Sequence, residues 1–330
     1  MSHPRLSVAL DAPDALPPEG RIALFRPTSE TDLSDLPRAR VHAVQGFRPD
    51  YEVLAARGFA VSPGAEPPYA AAVVFLPRAK ALARGLVAQA LAETDGPVVV
   101  DGQKTDGIDS LLKELRGKAE VGQVISKAHG KLFVVSAAPD ALAAWRLPAA
   151  PLQVAGGFVT MPGVFSADGI DPASQLLAQA LPADLGRQVA DLGAGWGYLS
   201  AQLLARDKIE TLHLVEVDHS ALDCARQNVP DPRAQFHWAD ATLWRPKKAL
   251  DCVVMNPPFH TTRSADPDLG RAFIAAAAAI LAPQGRLFMV ANRHLPYEPA
   301  LAQHFGQVTE FGGDARFKLL AGERPARLRR

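Results

Sequence analysis

Residues 188–197 read Gln-Val-Ala-Asp-Leu-Gly-Ala-Gly-Trp-Gly, a short apolar strand that leads into three glycines at alternate positions. A helix is predicted to begin near Tyr198. Glycine adopts backbone conformations that are closed to other residues, and it lets a ligand approach the backbone closely. A strand, a glycine-rich turn and a helix in this order predict an α/β fold, with a ligand bound at the carboxyl end of a parallel strand.

The spacing of the glycines narrows the class of ligand. It is G-x-G-x-G, preceded by Asp191, and not the G-x-G-x-x-G of nicotinamide-dependent enzymes. A dinucleotide site directs a helix N-terminus at a pyrophosphate, which a carboxylate at Asp191 would repel. S-adenosylmethionine has no phosphate and carries an ammonium group, which this carboxylate favours. Asp191, Gly193, Gly195 and Gly197 are therefore predicted to bind S-adenosylmethionine.

Two further acids follow predicted strands. Glu216 lies at the end of strand 212–217, about the distance past the glycines at which an acid meets ribose hydroxyls. Asp240 follows strand 234–238, where it is placed to accept a hydrogen bond from an adenine amino group. Each acid falls at the carboxyl end of its strand, where open α/β sheets bind ligands. Glu216 and Asp240 are thus predicted to complete the binding site for the co-substrate.

The second informative stretch is 251–260, an apolar strand that ends in Asn256-Pro257-Pro258-Phe259. Proline has no backbone N–H and biases the residue before it away from the helical region. The turn therefore presents carbonyl oxygens, an amide side chain and an exposed aromatic ring. This set suits a planar amine: Asn256 and Pro257 accept its two hydrogens, and Phe259 stacks on its ring. Such stacking is typically worth about 1–3 kcal/mol per base.

With these motifs the chain resembles the class I S-adenosylmethionine-dependent methyltransferases that carry an N-P-P-[FY] motif. Four stretches look like the ribosomal RNA small subunit methyltransferase C family: 161–171, 256–260, 291–297 and 316–318. The resemblance is dense over residues 151–330 and fainter over 70–137. It implies methyl transfer to the N2 amine of a guanine in 16S ribosomal RNA, with the cofactor and base-binding roles given above. Glu216 stands where an aspartate is usual, and Trp196 is bulkier than its counterpart in many relatives.

Four more residues are candidates for substrate contact. Phe165 and Asp171 precede the first strand of the resembling region and are expected either to close over the cofactor or base, or to have a structural role. Arg293 and Tyr297 follow the fifth strand, at the edge where the substrate would bind. They too are either substrate contacts or structural residues.

The organisation of the chain predicts two domains, which divide near Pro148–Pro151. Residues 151–330 alternate strands and helices and end in a hairpin, 308–311 and 316–320, that turns at Gly312-Gly313. Residues 1–150 repeat part of this pattern without a glycine triplet or an Asn-Pro-Pro turn. We expect two tandem Rossmann-like, methyltransferase-like α/β domains: a degenerate one, 1–150, and a catalytic one, 151–330, whose mostly parallel seven-stranded sheet closes with an antiparallel hairpin. The alternative is that strand-Pro-helix-Gly-strand is common to α/β proteins in general.

Composition sets limits on compartment and partners. The 330 residues contain 35 basic and 35 acidic side chains and two cysteines, so neither broad electrostatic capture of RNA nor a disulfide framework is expected. No apolar segment is long enough to span a bilayer, and residues 1–20 show no signal segment. We expect a cytoplasmic monomer that needs no metal. Basic residues cluster locally: Arg78, Lys80 and Arg84; Lys113, Arg116 and Lys118; Lys127 and Lys131; Arg324, Arg327, Arg329 and Arg330.

Three functions are compatible with the sequence. The first is guanine-N2 methylation of small-subunit ribosomal RNA, with the first domain positioning the RNA or serving only as structure. The second keeps the chemistry and changes the acceptor to a large-subunit guanine, an adenine N6 or a protein glutamine amide. The third is a non-catalytic ribosome assembly factor that binds S-adenosylmethionine only as a structural ligand.

Overall fold

The computed structural model describes residues 4–12, 15–138, 140–258 and 267–326. The chain divides into two compact units, Met1–Ala150 and Pro151–Arg330. The first unit contains α1 (Pro4–Leu10), β1 (Ile22–Phe25), β2 (Val41–Val44), α2 (Arg48–Ala56), β3 (Ala60–Ser62), β4 (Ala71–Phe75), α3 (Lys80–Glu93), β5 (Val98–Gln103), α4 (Ile108–Leu115), β6 (Glu120–Val121), β7 (Ile125–Lys127) and β8 (Gly130–Ser136).

The second unit has a similar alternation of strands and helices. It contains β9 (Leu152–Gln153), β10 (Val159–Thr160), α5 (Pro172–Ala180), β11 (Gln188–Leu192), α6 (Tyr198–Leu203), β12 (Thr211–Glu216), α7 (His219–Asn228), β13 (Ala234–Trp238), β14 (Leu250–Met255), α8 (Pro267–Ile280), β15 (Leu281–Asn292), α9 (Glu298–His304), β16 (Phe305–Gly313) and β17 (Phe317–Pro325).

The two sheets share one topology. The order is β3-β2-β1-β4-β5-β8-β6 in the first unit, where β7 also pairs with β8, and β13-β12-β11-β14-β15-β17-β16 in the second. In each sheet the first five strands of this order are parallel and the last ones are antiparallel. The prediction of two tandem methyltransferase-like α/β folds is confirmed, including the mostly parallel seven-stranded sheet and its closing hairpin.

Both faces of the second sheet are buried. Ala190 and Met255 pack into one apolar cluster, with residues of α8 and α9. Val189 and Val254, their neighbours in sequence, pack into another with residues of α5, α6 and α7. Successive side chains of a strand point to opposite faces, so near-continuous apolar strands are expected where helices cover both sides. This is why the strand before Asn256 reads as an unbroken apolar run.

The hairpin turns later in the chain than predicted. Gly312 and Gly313 still pair with Leu319 and Lys318, beside a register shift between Glu310 and Gly312. The turn itself is made by Asp314, whose carboxylate accepts hydrogen bonds from the N–H groups of Arg316 and Phe317, both at 2.7 Å. The glycines therefore accommodate a bulge in β16, and an aspartate satisfies the turn amides.

The first unit preserves the backbone of the second unit's glycine loop but not its chemistry. The N–H of Arg26 donates to the Val44 carbonyl at 2.9 Å, as that of Gly193 donates to Val215. The residue after Val44 is Gln45, whereas the residue after Val215 in the second unit is Glu216. Both side chains accept from the N–H two residues on, at 2.8 Å, but Gln45 also donates its amide to Pro27. A cation at Arg26 and a neutral amide at Gln45 replace the glycine and the carboxylate, which supports the view of a degenerate copy.

Candidate active site

The three predicted glycines all have left-handed backbone conformations. Their φ angles are +76° at Gly193, +55° at Gly195 and +91° at Gly197, a region that costs other residues roughly 1–2 kcal/mol. A Cβ on Gly197 would lie 2.9 Å from the Val229 side chain, whereas one on Gly195 would meet no described atom within 4 Å. Gly197 is therefore required by packing. Gly195 leaves its backbone open to a ligand.

Asp191 lies behind this loop, fully buried. Its Oδ2 accepts a hydrogen bond from the Ser200 hydroxyl at 2.7 Å, while Oδ1 has no hydrogen-bond partner among the described residues. Burial raises the pKa of Asp191 to about 7. A buried acceptor without a donor is costly. Such an acceptor fits a cationic ligand at the loop.

Glu216 supports the loop from the next strand. Its Oε2 accepts from the N–H of Gly195, and its Oε1 from the N–H of Asp218, both at 2.8 Å. Burial raises the pKa of Glu216 to about 7. The N–H of Val217 is a third backbone donor to this carboxylate. Three donors leave one of its roughly four acceptor sites for a hydroxyl group.

Asp240 is partly buried at the end of the neighbouring strand β13. Its Oδ1 is used in a local turn, where it accepts from the N–H and the hydroxyl of Thr242 at 2.8 and 2.7 Å. The turn fixes the carboxylate beside the end of β12, because Glu216 pairs with Trp238 in the sheet. It does not line the cavity described below.

Asn256 makes the most specific contacts of the site. Its Nδ2 donates to Asp171 Oδ2 at 2.9 Å and to the Ser174 hydroxyl at 2.8 Å. Its Oδ1 is buried and has no hydrogen-bond partner among the described residues. Both hydrogens of the amide are thus occupied by protein acceptors, and its oxygen remains available to accept from a donor such as an amine.

A small cavity brings the glycine loop and the Asn-Pro-Pro turn together. Phe165 lies at its rim, with 62% of its surface exposed. Pro257 is buried and is not among the cavity-lining residues, and Phe259 lies outside the described residues. The cavity-lining residues are Phe165, Ser166, Asp171, Ser174, Gly193, Ala194, Gly195, Trp196, Tyr198, Leu199 and Asn256.

Trp196 holds Phe165 in place. Its indole Nε1 donates to the Phe165 carbonyl at 3.0 Å, and its ring packs against Phe158 and Tyr198. Asn228 adds a second connection, donating to the carbonyls of Trp196 and Val159 at 2.7 and 2.8 Å. The bulky residue in the loop therefore attaches residues 158–165 to the glycine loop.

The structure does not bring Arg293 and Tyr297 to this cavity. The Arg293 guanidinium donates to the carbonyls of Asp314 and Phe317 and to Glu310, so it ties together the two strands at the hairpin turn. Tyr297 is fully buried in an apolar cluster, where Gly270 leaves room for its ring. Both side chains make structural contacts, and their contact with substrate stays a prediction.

Sequence reasoning missed Ser174 and Asn228. Ser174 stands three residues after Asp171 and donates its own N–H to that carboxylate at 2.8 Å, which is the pattern of a helix N-cap. That spacing was a usable signal for the start of α5. Nothing in the sequence around Asn228 indicates its contacts. Within the described ranges, no helix is long and apolar enough to cross a membrane, and no cluster of three or more His, Cys, Asp or Glu side chains could hold a metal ion.

Comparison with known proteins agrees with this geometry. Residues 155–321 match the family model for the methyltransferase small domain. A similar solved structure is that of the T. thermophilus 16S rRNA N2 G1207 methyltransferase in complex with AdoMet and guanosine. Its chain is 27% identical to this one. It covers 97% of this chain and 92% of its own, with a TM-score of 0.78. Fold and site together define the chain as a methyltransferase.

Curated relatives identify the family of methyltransferases to which the chain belongs. Ribosomal RNA small subunit methyltransferase C of Pseudomonas aeruginosa (strain LESB58) is 32% identical over 269 residues, 78% of this chain and 80% of that protein. The same enzyme of Shewanella sp. (strain MR-7) is 30% identical over 262 residues, 76% of each chain. The chain belongs to the ribosomal RNA small subunit methyltransferase C family.

Proposed function

We propose that this protein transfers a methyl group from S-adenosylmethionine to the exocyclic N2 amine of a guanine in 16S ribosomal RNA. One observation carries the proposal: the buried Oδ1 of Asn256 has no donor among the described residues, and Asn256 lines the same cavity as the glycine loop. An oriented acceptor beside a co-substrate loop is what the methylation of an amine requires. The related enzymes add the nature of the substrate, guanine in small-subunit RNA.

The residues around the loop fit S-adenosylmethionine, which supplies an electrophilic sulfonium methyl when bound. Gly195 offers open backbone, and the orphaned oxygen of Asp191 favours a cation nearby. Glu216 would accept from a ribose hydroxyl, as its carboxylate has one acceptor site to spare beside its three backbone donors. Asp240 would accept from the adenine amino group. No covalent nucleophile of the protein is needed.

The base-holding turn acts on the weak nucleophilicity of the amine. The lone pair of guanine N2 is delocalised into the ring. Hydrogen bonds from its two N–H groups to Asn256 Oδ1 and the Pro257 carbonyl favour a pyramidal nitrogen. They strengthen as positive charge develops on that nitrogen, so they stabilise the transition state more than the ground state. Phe259 would stack on the base and Phe165 would cover it, both after the base has left its own stack.

Asn256→Ala tests this assignment. We expect methyl transfer to fall about 100- to 1000-fold, as for the loss of one preorganised hydrogen-bonding group at a reacting atom. Affinity for S-adenosylmethionine, measured by calorimetry, should stay within severalfold. Gln303→Ala, on the exposed side of α9, is the control. Full activity of N256A on the RNA substrate would contradict the proposed role of the turn.

For the first unit, we propose that it positions the RNA, acting as part of a cytoplasmic monomer. Lys113, Arg116 and Lys118 are exposed at the end of α4, and no salt bridge reaches them in the part of the chain that the structure describes. Arg116 and Lys118 line an open groove with Glu120 and Ser136. These charges are available to RNA phosphates.

Other basic side chains of the first unit are already engaged in salt bridges. Lys80 and Arg84 both pair with Glu114, and Lys131 pairs with Asp109. They provide a control with the same change in net charge. K113Q/R116Q/K118Q should raise the KM for RNA and reduce its salt dependence by about one unit of slope per lost phosphate contact. K80Q/R84Q/K131Q should do neither. Equal effects of the two triple variants would leave the unit a structural role.

A further inference from the structure

We propose that Asp171 and Ser174 are positioning residues for the transfer reaction: together they fix the orientation of the Asn256 amide so that its oxygen, and not its nitrogen, faces the substrate amine. The inference rests on the proposed function and adds to it the residues that make Asn256 selective for a hydrogen-bond donor. Asp171 is separated from Asn256 by 85 residues in the chain and joined to it by the fold.

The orientation of the amide follows from the chemistry of its partners. An ionised carboxylate can only accept hydrogen bonds. Asp171 Oδ2 lies 2.9 Å from one amide atom of Asn256, which must therefore be the NH2 group. Ser174 takes the other amide hydrogen at 2.8 Å. A rotation of the amide by 180° would place two oxygens against each other, and would present donors to an incoming amine.

The two partners are themselves held rigidly. Asp171 is the N-cap of α5, and its Oδ2 also accepts the N–H of Ser174 at 2.8 Å. Pro172, at the first position of the helix, has its φ fixed by its ring. Ser174 is 7% exposed. One oxygen of Asp171 thus receives both a backbone and a side-chain hydrogen bond, which links the start of α5 to the end of β14.

The negative charge of Asp171 has a second effect through the amide. A hydrogen bond from Nδ2 to a carboxylate polarises the amide and increases the electron density on its oxygen, since hydrogen bonds in a chain strengthen one another. Asn256 Oδ1 becomes a better acceptor as positive charge develops on the substrate nitrogen. Asp171 therefore acts on the reaction through Asn256 and does not need to exchange a proton.

Single substitutions at the two positions give the first test. Asp171→Ser retains a good N-cap residue for α5 but is too short to reach Asn256, and should lower kcat about tenfold or more while the KM for RNA changes little. Ser174→Ala should lower kcat severalfold. Asp184→Ser is the matched control, because Asp184 also accepts a backbone N–H, from Gly186, at an exposed site outside the cavity. S-adenosylmethionine affinity should be unchanged in all three variants.

An exchange of the two residues gives the sharper test. N256D alone places two carboxylates within hydrogen-bond distance and should abolish activity to below about 1%. D171N/N256D removes the repulsion between the two carboxylates, and its kcat should recover at least about tenfold over that of N256D. If Asp171 were only structural, D171N/N256D would regain thermal stability relative to N256D without regaining kcat.

The outcomes separate this inference from the proposed function. No N2-methylguanosine with the unmodified protein would refute the proposed function itself. Normal wild-type activity combined with unaffected kcat in D171S and S174A, or with a D171N/N256D variant no better than N256D, would overturn the positioning role alone. If D171S does not fold, as judged by its thermal unfolding, S174A and the exchange variant still decide the question.

Discussion

The carboxylate of Glu216 accepts a hydrogen bond from the backbone N–H of Gly195 at 2.8 Å, so one side chain both shapes the glycine loop and stands at the proposed ribose position. Glu216→Ala removes both functions. We expect S-adenosylmethionine affinity to fall about 10- to 100-fold, the loss of roughly 1.5–3 kcal/mol for hydrogen bonds to a charged group. This affinity can be measured by calorimetry. Glu210→Ala, one residue before the start of the same strand, should bind S-adenosylmethionine normally.

Substitutions at two glycines of the loop distinguish a glycine needed for ligand access from one needed for packing. Gly195→Ala meets no described atom within 4 Å, so it should cost only about 1–2 kcal/mol of folding stability for its left-handed φ, yet it would obstruct the open backbone. Gly197→Ala has the same conformational strain and also meets Val229. We expect G195A to be the more stable variant in urea unfolding and still to lose co-substrate binding. Normal binding by G195A would contradict the proposed loop.

Burial of Asp191 predicts a pH-dependent stability. Its pKa is about 7 in the folded protein against 3.8 as the ordinary value, so the folded state holds the proton more tightly. The stabilisation this gives is complete below about pH 4 and is lost as the pH rises through 7. D191N remains neutral. Its unfolding free energy relative to wild type should therefore increase between pH 4 and pH 8, by about 2–4 kcal/mol.

Asp184 is a control for that experiment, because its pKa is shifted in the opposite direction. The Lys208 ammonium beside it lowers the pKa of its carboxyl group, so its contribution is present above the unfolded-state pKa and lost as the pH falls. D184N should lose stability relative to wild type as the pH rises, the reverse of D191N. The same sign for both variants would show that the burial of Asp191 is not the cause.

Phe165 and Leu243 form a natural pair for testing base stacking. Both side chains are largely exposed, 62% and 71%, but only Phe165 lies at the rim of the cavity. Removing either should change folding stability by less than about 0.5 kcal/mol. F165A should raise the KM for RNA about 10-fold, within the range expected for one stacked base, and L243A should not. Equal KM values for F165A and the wild type would exclude a contact with the base.

Much of the fold could be predicted from local patterns. Apolar runs that end in Gly193 and Asn256 mark parallel strands, because burial on both faces demands continuous apolar sequence and ligand sites follow strand ends. The position of the last hairpin turn could not be predicted, since two glycines suit a bulge as well as a turn. The turn lies at Asp314, because its carboxylate accepts hydrogen bonds from two backbone N–H groups.

The sequence indicated the motifs of the candidate site but not the contacts that connect them. Asp191 and Glu216 were identified from spacing, while their burial, which raises the pKa of each, depends on how the loop packs. Arg293 and Tyr297 have residue types suited to RNA, but tertiary contacts commit them to the hairpin and the core. The link between Asp171 and Asn256 spans 85 residues, and no local pattern encodes such a contact.

The most direct test of the central claim is transfer of labelled methyl groups from S-adenosylmethionine to purified small and large ribosomal subunits that lack native methylation, with nucleoside analysis of the product. We expect N2-methylguanosine in 16S ribosomal RNA. Label in the large subunit, in adenosine or in protein would contradict the proposed acceptor but would still show that the protein transfers methyl groups. Absence of any transfer, with S-adenosylmethionine still bound, would contradict the catalytic claim and favour a ribosome assembly factor.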